Sequence, residues 1–182
     1  VDARRATLRL AAAQAYRVYA NGEFLGRGPA RTAHGHARVD EWALPAGPVE
    51  VVVEVMGYGV PTFCATNEPA FCCAEIVAGK SALAWTAPAG GGFVAEHRTE
   101  RVRRIERYSY QRAFAEGYHF GPAGLTWRAA GYVPRRPAKV ARVTYARTWL
   151  ERGVAYPDLS LQRSKSAAAL GRVLRDLNVT AN

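Results

Sequence analysis

The residues of this sequence best suited to chemistry are aromatic and polar side chains of the kind that bind sugars. An aromatic ring covers the apolar face of a pyranose, while amide, carboxylate and guanidinium groups hydrogen-bond its hydroxyls. The best such carbohydrate-binding set is Trp42, Tyr58, Asn67, Glu68 and Trp85. For the tryptophans, burial in a core or at a domain interface outweighs stacking on a ligand as an interpretation.

The sequence carries no recognisable catalytic or cofactor-binding motif. A glycosidase needs two carboxyl groups on either side of a sugar ring, and no motif selects such a pair here. His34-Gly35-His36 has a spacing seen at some zinc sites but lacks a third partner, and the loop at Asn67 and Glu68 lacks the alternating oxygen ligands of a calcium site. Nucleophile-elbow, Walker and dinucleotide fingerprints are absent. We therefore predict no catalytic residue, metal or cofactor for this chain.

The three cysteines, Cys64, Cys72 and Cys73, fit neither a disulfide framework nor a zinc knuckle. Because successive residues of a strand alternate between faces, Cys72 and Cys73 should point in opposite directions. The favoured interpretation is small core-filling residues in a reducing compartment. A Cys64–Cys72 bridge closing a short loop is the alternative.

The formal net charge of +10 suggests a nucleic-acid partner, but its distribution does not support one. The basic residues are almost all arginine, as a GC-rich coding sequence would produce, and the densest basic run, residues 98–107, is interrupted by Glu100 and Glu106. The longest apolar stretches, such as residues 49–56, are far shorter than a membrane span. We predict neither a nucleic-acid nor a membrane partner, with a minor role for basic residues in binding acidic glycans left open.

Short segments of strand-like sequence recur along the chain with almost no helical periodicity. Asn21-Gly22 and Gly79-Lys80 predict tight hairpin turns, and Gly28-Pro29 should end a strand. The clearest strand is 49–56, with valines on one face and Glu50, Val52, Glu54 and Met56 on the other. This pattern predicts an all-β fold, an antiparallel β-sandwich of the jelly-roll, galactose-binding-domain-like kind. The predicted strands are 7–11, 16–20, 24–26, 36–42, 49–56, 71–77, 81–86, 102–114, 127–133 and 139–145.

The end of the sequence has a different character. Apolar residues at positions 170, 173, 174 and 177 form a helical stripe. We predict a β-sandwich domain over residues 1–150 and, over 151–182, a linker with a short C-terminal helix that caps this domain or docks on a neighbour. The chain opens on Val rather than Met, so it resembles a piece of a longer polypeptide, and its localisation stays undetermined.

Residues 16–31, YRVYANGEFLGRGPAR, resemble the N-terminal β-sandwich domain of bacterial α-L-rhamnosidases and related multidomain glycoside hydrolases. The similarity continues in order through an Asp-containing strand at 39–42, a Pro/Gly turn at 44–47 and a Val-rich strand at 49–56. A Tyr-Gly element follows at 57–59, and a segment with Gln, an aromatic residue and Glu before a Tyr lies at 109–118. It spans about residues 3–150. Two features depart from the family: the stretch 83–92 offers Trp85 and a glycine run where an Asp and a Trp are usual, and His119 stands where Asp is common.

The resemblance implies a non-catalytic accessory domain that packs on an α-helical catalytic barrel of the same polypeptide and helps to shape its substrate cleft. The catalytic carboxylates would then lie in that barrel. The alternatives are an independent carbohydrate-binding module, with a rhamnose-containing glycan as its ligand, and a protein- or nucleic-acid-interaction sandwich. Arg31 and Glu116 both belong to the family-like segments, and we expect a charge-assisted pair between them to pin the long loop to a later strand.

Overall fold

The fold is an all-β sandwich, as the sequence predicts. The computed structural model describes residues 2–3, 5–60, 68–102, 105, 111, 115–119, 121, 124–144, 146–160 and 166. Its strands are β1 (Asp2–Ala3), β2 (Thr7–Ala13), β3 (Ala15–Ala20), β4 (Glu23–Gly28), β5 (His36–Ala43), β6 (Gly47–Pro48), β7 (Val51–Met56), β8 (Phe71–Ala78), β9 (Ser81–Trp85) and β10 (Thr148–Glu151).

Two sheets form the layers of the sandwich. One has five strands in the order β10-β5-β2-β8-β9, and the other has three in the order β4-β3-β7, while β1 and β6 form a separate small ladder. Neighbours in both main sheets are antiparallel, except that β10 runs parallel to β5 at the sheet edge. The turn between β3 and β4 has positive φ at Asn21 (50°) and Gly22 (85°), which confirms the predicted Asn-Gly hairpin.

The core lies between the two sheets and follows the period-two alternation of the strands. Leu8, Leu10 and Val18 have no exposed surface, and Val51, Val53 and Val55 pack against the same cluster. Burial of each such leucine or valine contributes about 2 kcal/mol to folding. The opposite face of β7, carrying Glu54, is therefore turned away from the core, as the alternation of residues 49–56 predicts.

Two of the predicted strands are wrong. The segment 127–133 is a short 3-10 helix, Thr126–Arg128, followed by turns, because Trp127 is buried by packing edge-on against Tyr19 rather than by strand pairing. Residues 139–144 have no strand, and the real strand is β10, a few residues later. The predicted strand 102–114 lies mostly outside the described residues, and so does the predicted C-terminal helix.

Candidate functional site

The structure places Trp42 and Trp85, the two tryptophans of the predicted carbohydrate-binding set, on opposite faces of the five-stranded sheet. Trp42 points into the core and is only 7% exposed. Its indole Nε1 donates to the hydroxyl of Tyr16 at 3.0 Å, and its ring centroid lies 4.5 Å from that of Tyr156. Because the ring is enclosed, Trp42 offers no platform for a sugar, and the prediction for this residue is corrected to a core role.

The other members of the set lie in different surroundings. The backbone N–H of Tyr58 donates to the side-chain oxygen of Gln14 at 2.6 Å, just beyond β7. Glu68 accepts from Arg147 at 3.0 Å, and the Arg147 guanidinium lies 3.8 Å from the ring centroid of Phe71. Asn67 lies outside the described residues. Glu68 thus takes part in an ion pair with Arg147.

Trp85 is the member of the set that offers an open ring. It ends β9, the edge strand of the five-stranded sheet, and is 46% exposed. Its cross-strand partner is Glu75 of β8. The neighbouring residue Ala84 is buried in the core, so Trp85 lies on the outer face of the sheet.

A polar cluster covers the outer face of the three-stranded sheet and is the densest group of charges among the described residues. We call it the β3–β7 cluster. Arg17 of β3 and Glu54 of β7 are cross-strand partners, with Nη1 of Arg17 3.3 Å from Oε2 of Glu54. Its members are Arg17, Glu54, Arg101, Glu116, Tyr118 and Arg128.

The partner of Glu116 in this cluster is Arg17, which corrects the predicted Arg31–Glu116 pair. Nη2 of Arg17 donates to both carboxylate oxygens of Glu116, at 3.0 and 2.8 Å, and Arg101 lies 3.7 Å away. Arg31 is exposed, and its backbone carbonyl accepts from Nε of Arg38 at 2.9 Å. Strand alternation aims Arg17 at the outer face, whereas Arg31 lies beyond the end of β4.

Within the β3–β7 cluster, the pKa values of Arg17 and Glu116 are both shifted so that the charged forms are favoured. Burial alone would raise the pKa of Glu116, but the hydrogen bonds from Arg17 and Tyr118 and the charges of Arg17 and Arg101 together outweigh it and leave the pKa below its ordinary value. Burial would lower the pKa of Arg17, and hydrogen bonds to Glu116 and Tyr118 raise it instead. A general acid of a glycosidase needs the opposite, a carboxyl group whose pKa is raised. Glu116 is therefore suited to pairing with Arg17 of β3 and poorly suited to donating a proton.

Glu116→Gln should reduce stability at neutral pH by about 1 kcal/mol, because the pair with Arg17 is one-third exposed and screened by solvent. A carboxylate whose pKa is lowered in the folded state adds stability above its unfolded pKa and loses it as pH falls through the folded pKa. Urea unfolding should therefore show a difference in the free energy of unfolding between wild type and variant at pH 7. This gap should close well below pH 4.5, the ordinary pKa of a glutamate. Glu23→Gln, an exposed control on β4, should show no gap. A pH-independent gap would contradict the ion-pair account.

A second polar group lies inside the sandwich and was not singled out from the sequence. Asp40 has no exposed surface and accepts a hydrogen bond from the Tyr16 hydroxyl on one oxygen. Its other oxygen accepts from Nη1 of Arg152 at 2.7 Å. Burial, and then the bond to Asp40, raise the pKa of Tyr16, so the phenol stays protonated. This Asp40 node ties the segment after β10 to the core.

Cys72 and Cys73 of β8 lie in different surroundings, and Cys64 lies outside the described residues. Cys72 packs against the core and Cys73 is exposed, which confirms that they face opposite sides, and both are free thiols. Burial raises the pKa of Cys72 to about 12. Within the described part of the chain, no group of three or more His, Cys, Asp or Glu side chains is placed to hold a metal ion. The same residues include no helix long and apolar enough to cross a bilayer.

No protein-family model and no curated protein sequence matches this chain. Among solved structures, its fold is similar to part of the crystal structure of a GH78 family rhamnosidase of Bacillus sp. GL1, with a TM-score of 0.66 and 23% sequence identity. The match covers 86% of this chain and 17% of the rhamnosidase chain. The chain thus shares the fold of a region of that larger enzyme.

Proposed function

We propose that this sandwich is a non-catalytic accessory domain of a rhamnosidase-like glycoside hydrolase, where it packs on a separate catalytic domain. The observation that carries the proposal is the structural match, which takes in most of this chain but only 17% of a GH78 rhamnosidase. A unit of this size within a much larger enzyme has room beside it for the barrel that would carry the catalytic carboxylates. The family-like order of residues 16–59 supports the same assignment.

The acidic side chains support a non-catalytic role. Glu96, Glu100 and Glu116 all have lowered pKa values: a hydrogen bond from Tyr132 lowers that of Glu96, while hydrogen bonds and nearby arginine charges together outweigh burial at the other two. Hydrolysis of a glycoside requires one carboxyl group that stays protonated to donate to the leaving oxygen. Their lowered pKa values make these three carboxyl groups poorly suited to acid catalysis.

The exposed apolar surface supports a packing partner. Most of the exposed large apolar side chains among the described residues lie in the segment 133–156, where Pro137 bridges to Glu96 and β10 pairs with β5. A concentration of apolar surface marks a contact with another domain more often than isolated exposed residues do. The residues concerned are Val133, Val140, Val143, Trp149, Val154 and Tyr156.

The test is to express the complete natural polypeptide that contains this chain and to assay hydrolysis of p-nitrophenyl α-L-rhamnopyranoside. We expect the polypeptide to be active and the 182-residue chain alone to be inactive. Val140→Asp with Val143→Asp should lower activity or melting temperature of the complete polypeptide without changing the melting temperature of the isolated chain. Val94→Asp, at an exposed valine outside segment 133–156, is the matched control.

Two results would reject the proposal. One is a complete polypeptide without a hydrolase domain. The other is rhamnoside hydrolysis by the isolated chain, since it would locate the catalytic carboxylates within these residues. If the double variant behaves like the Val94→Asp control, segment 133–156 does not form the interface through Val140 and Val143.

A further inference from the structure

Four long side chains stand in a single row across the outer face of the five-stranded sheet. The strand registers pair Glu41 of β5 with Arg9 of β2, Arg9 with Glu75 of β8, and Glu75 with Trp85 of β9. Because adjacent strands lie about 4.8 Å apart, the row is about 14 Å long. We call it the sheet row.

All four side chains of the sheet row point to solvent. The strand neighbours of its members, such as Leu8, Ile76 and Ala84, are buried in the core, so the row lies on the opposite face. The three charged side chains are between 42% and 60% exposed. The row is therefore accessible to a ligand along its whole length.

The charged members hold one another in position. Nε of Arg9 donates to Oε1 of Glu41 at 2.9 Å, and Nη1 donates to Oε1 of Glu75 at 3.2 Å. Within the described ranges, the second oxygen of each carboxylate and Nη2 of Arg9 have no protein partner. The row thus presents two acceptors and a donor whose side chains are already ordered, beside an open indole ring.

The surface next to the sheet row carries shorter side chains than the row itself. One step along the strands, on the same face, Thr7 is paired with both Ala43 and Val77. These short side chains form a shelf beside the arginine and the two glutamates.

We propose that the sheet row binds a neutral glycan, a function beyond the architectural role of the domain. The apolar face of a pyranose would stack on Trp85, and hydroxyls would donate to the glutamates and accept from Arg9. The row carries two negative charges and one positive, so it disfavours acidic sugars even though the whole chain carries +10. Exposed ion pairs add little to stability, so substitutions in the sheet row can be made without unfolding the domain.

The experiment is isothermal titration of the full 182-residue chain with L-rhamnose, the disaccharide rutinose and the neutral polysaccharides xyloglucan and galactomannan. We expect heat from at least one of these probes, unchanged between 50 mM and 500 mM NaCl. Trp85→Ala should weaken that binding about tenfold or more, and Glu75→Ala should weaken it severalfold. Trp149→Ala, at an exposed tryptophan on the opposite edge strand, should leave the affinity unchanged.

Melting temperatures separate loss of binding from loss of folding. Trp85 and Glu75 are both exposed, so their variants should melt within a few degrees of the wild type. Absence of heat with every neutral probe overturns the proposal. Equal losses in Trp85→Ala and Trp149→Ala, or binding of heparin alone with steep salt dependence, would also overturn it, because neither result traces the binding to the sheet row.

Discussion

Asp40→Ala is expected to lower the free energy of unfolding by about 3–5 kcal/mol, because it removes one member of a buried ion pair and leaves the other behind. Asp40 is fully buried, and the Arg152 side chain that it binds is only 12% exposed. The substitution also takes the acceptor from the Tyr16 hydroxyl. Urea unfolding followed by tryptophan fluorescence measures the loss.

The matched control for Asp40 is a carboxylate of the same sandwich that is paired at its surface. Glu75 contacts Arg9 at 3.2 Å, yet both side chains are more than 40% exposed. Glu75→Ala should therefore change the free energy of unfolding only slightly, since solvent screens the pair. Equal losses of unfolding free energy in the two variants would show that burial does not determine how much Asp40 contributes to stability.

Gly26→Ala is expected to destabilise the sandwich by about 1–3 kcal/mol or more, because there is no room for a methyl group on β4. A Cβ built at Gly26 overlaps the six-membered ring of Trp42. Trp42 cannot move away freely, since its Nε1 is bonded to Tyr16 and its ring packs against Tyr156. The melting temperature should fall by several degrees, measurable by circular dichroism.

A control variant and a rescue variant test whether overlap with Trp42 causes the loss of stability in Gly26→Ala. Gly121→Ala adds the same methyl group where no atom lies within 4 Å, so it should have little effect. Trp42→Phe places a smaller ring opposite residue 26. In a double-mutant cycle, the Gly26→Ala penalty should shrink in the Trp42→Phe background, and strictly additive effects would contradict the proposed overlap.

The sequence predicts those parts of the fold that depend on local pattern. Alternation identified most strands of the two sheets, and the Asn21-Gly22 turn followed from the tolerance of these residues for positive φ. The prediction failed where tertiary contacts override local pattern. Trp127 is buried by Tyr19 without belonging to a strand, and β10 is a four-residue edge strand that depends on pairing with β5.

The candidate sites were less predictable because their members meet only in three dimensions. Arg17 and Glu116 are 99 positions apart, and Arg152 and Asp40 are 112 apart, so no spacing rule relates them. The sequence identified Trp85 as a sugar-binding candidate but not its neighbours Glu75, Arg9 and Glu41. That row follows from strand register, which composition and periodicity do not specify.

The parallel pairing of β10 with β5 has a consequence for synthesis of the chain. Thr148 pairs with His36, so one edge of β5 receives its partner only after more than a hundred further residues have been translated. Such non-local contacts slow folding and leave a strand edge open to other chains in the meantime. On the ribosome, the sandwich can assemble early from β2 to β9, while its β5 edge stays unprotected until the segment that supplies Leu150 and Arg152 emerges.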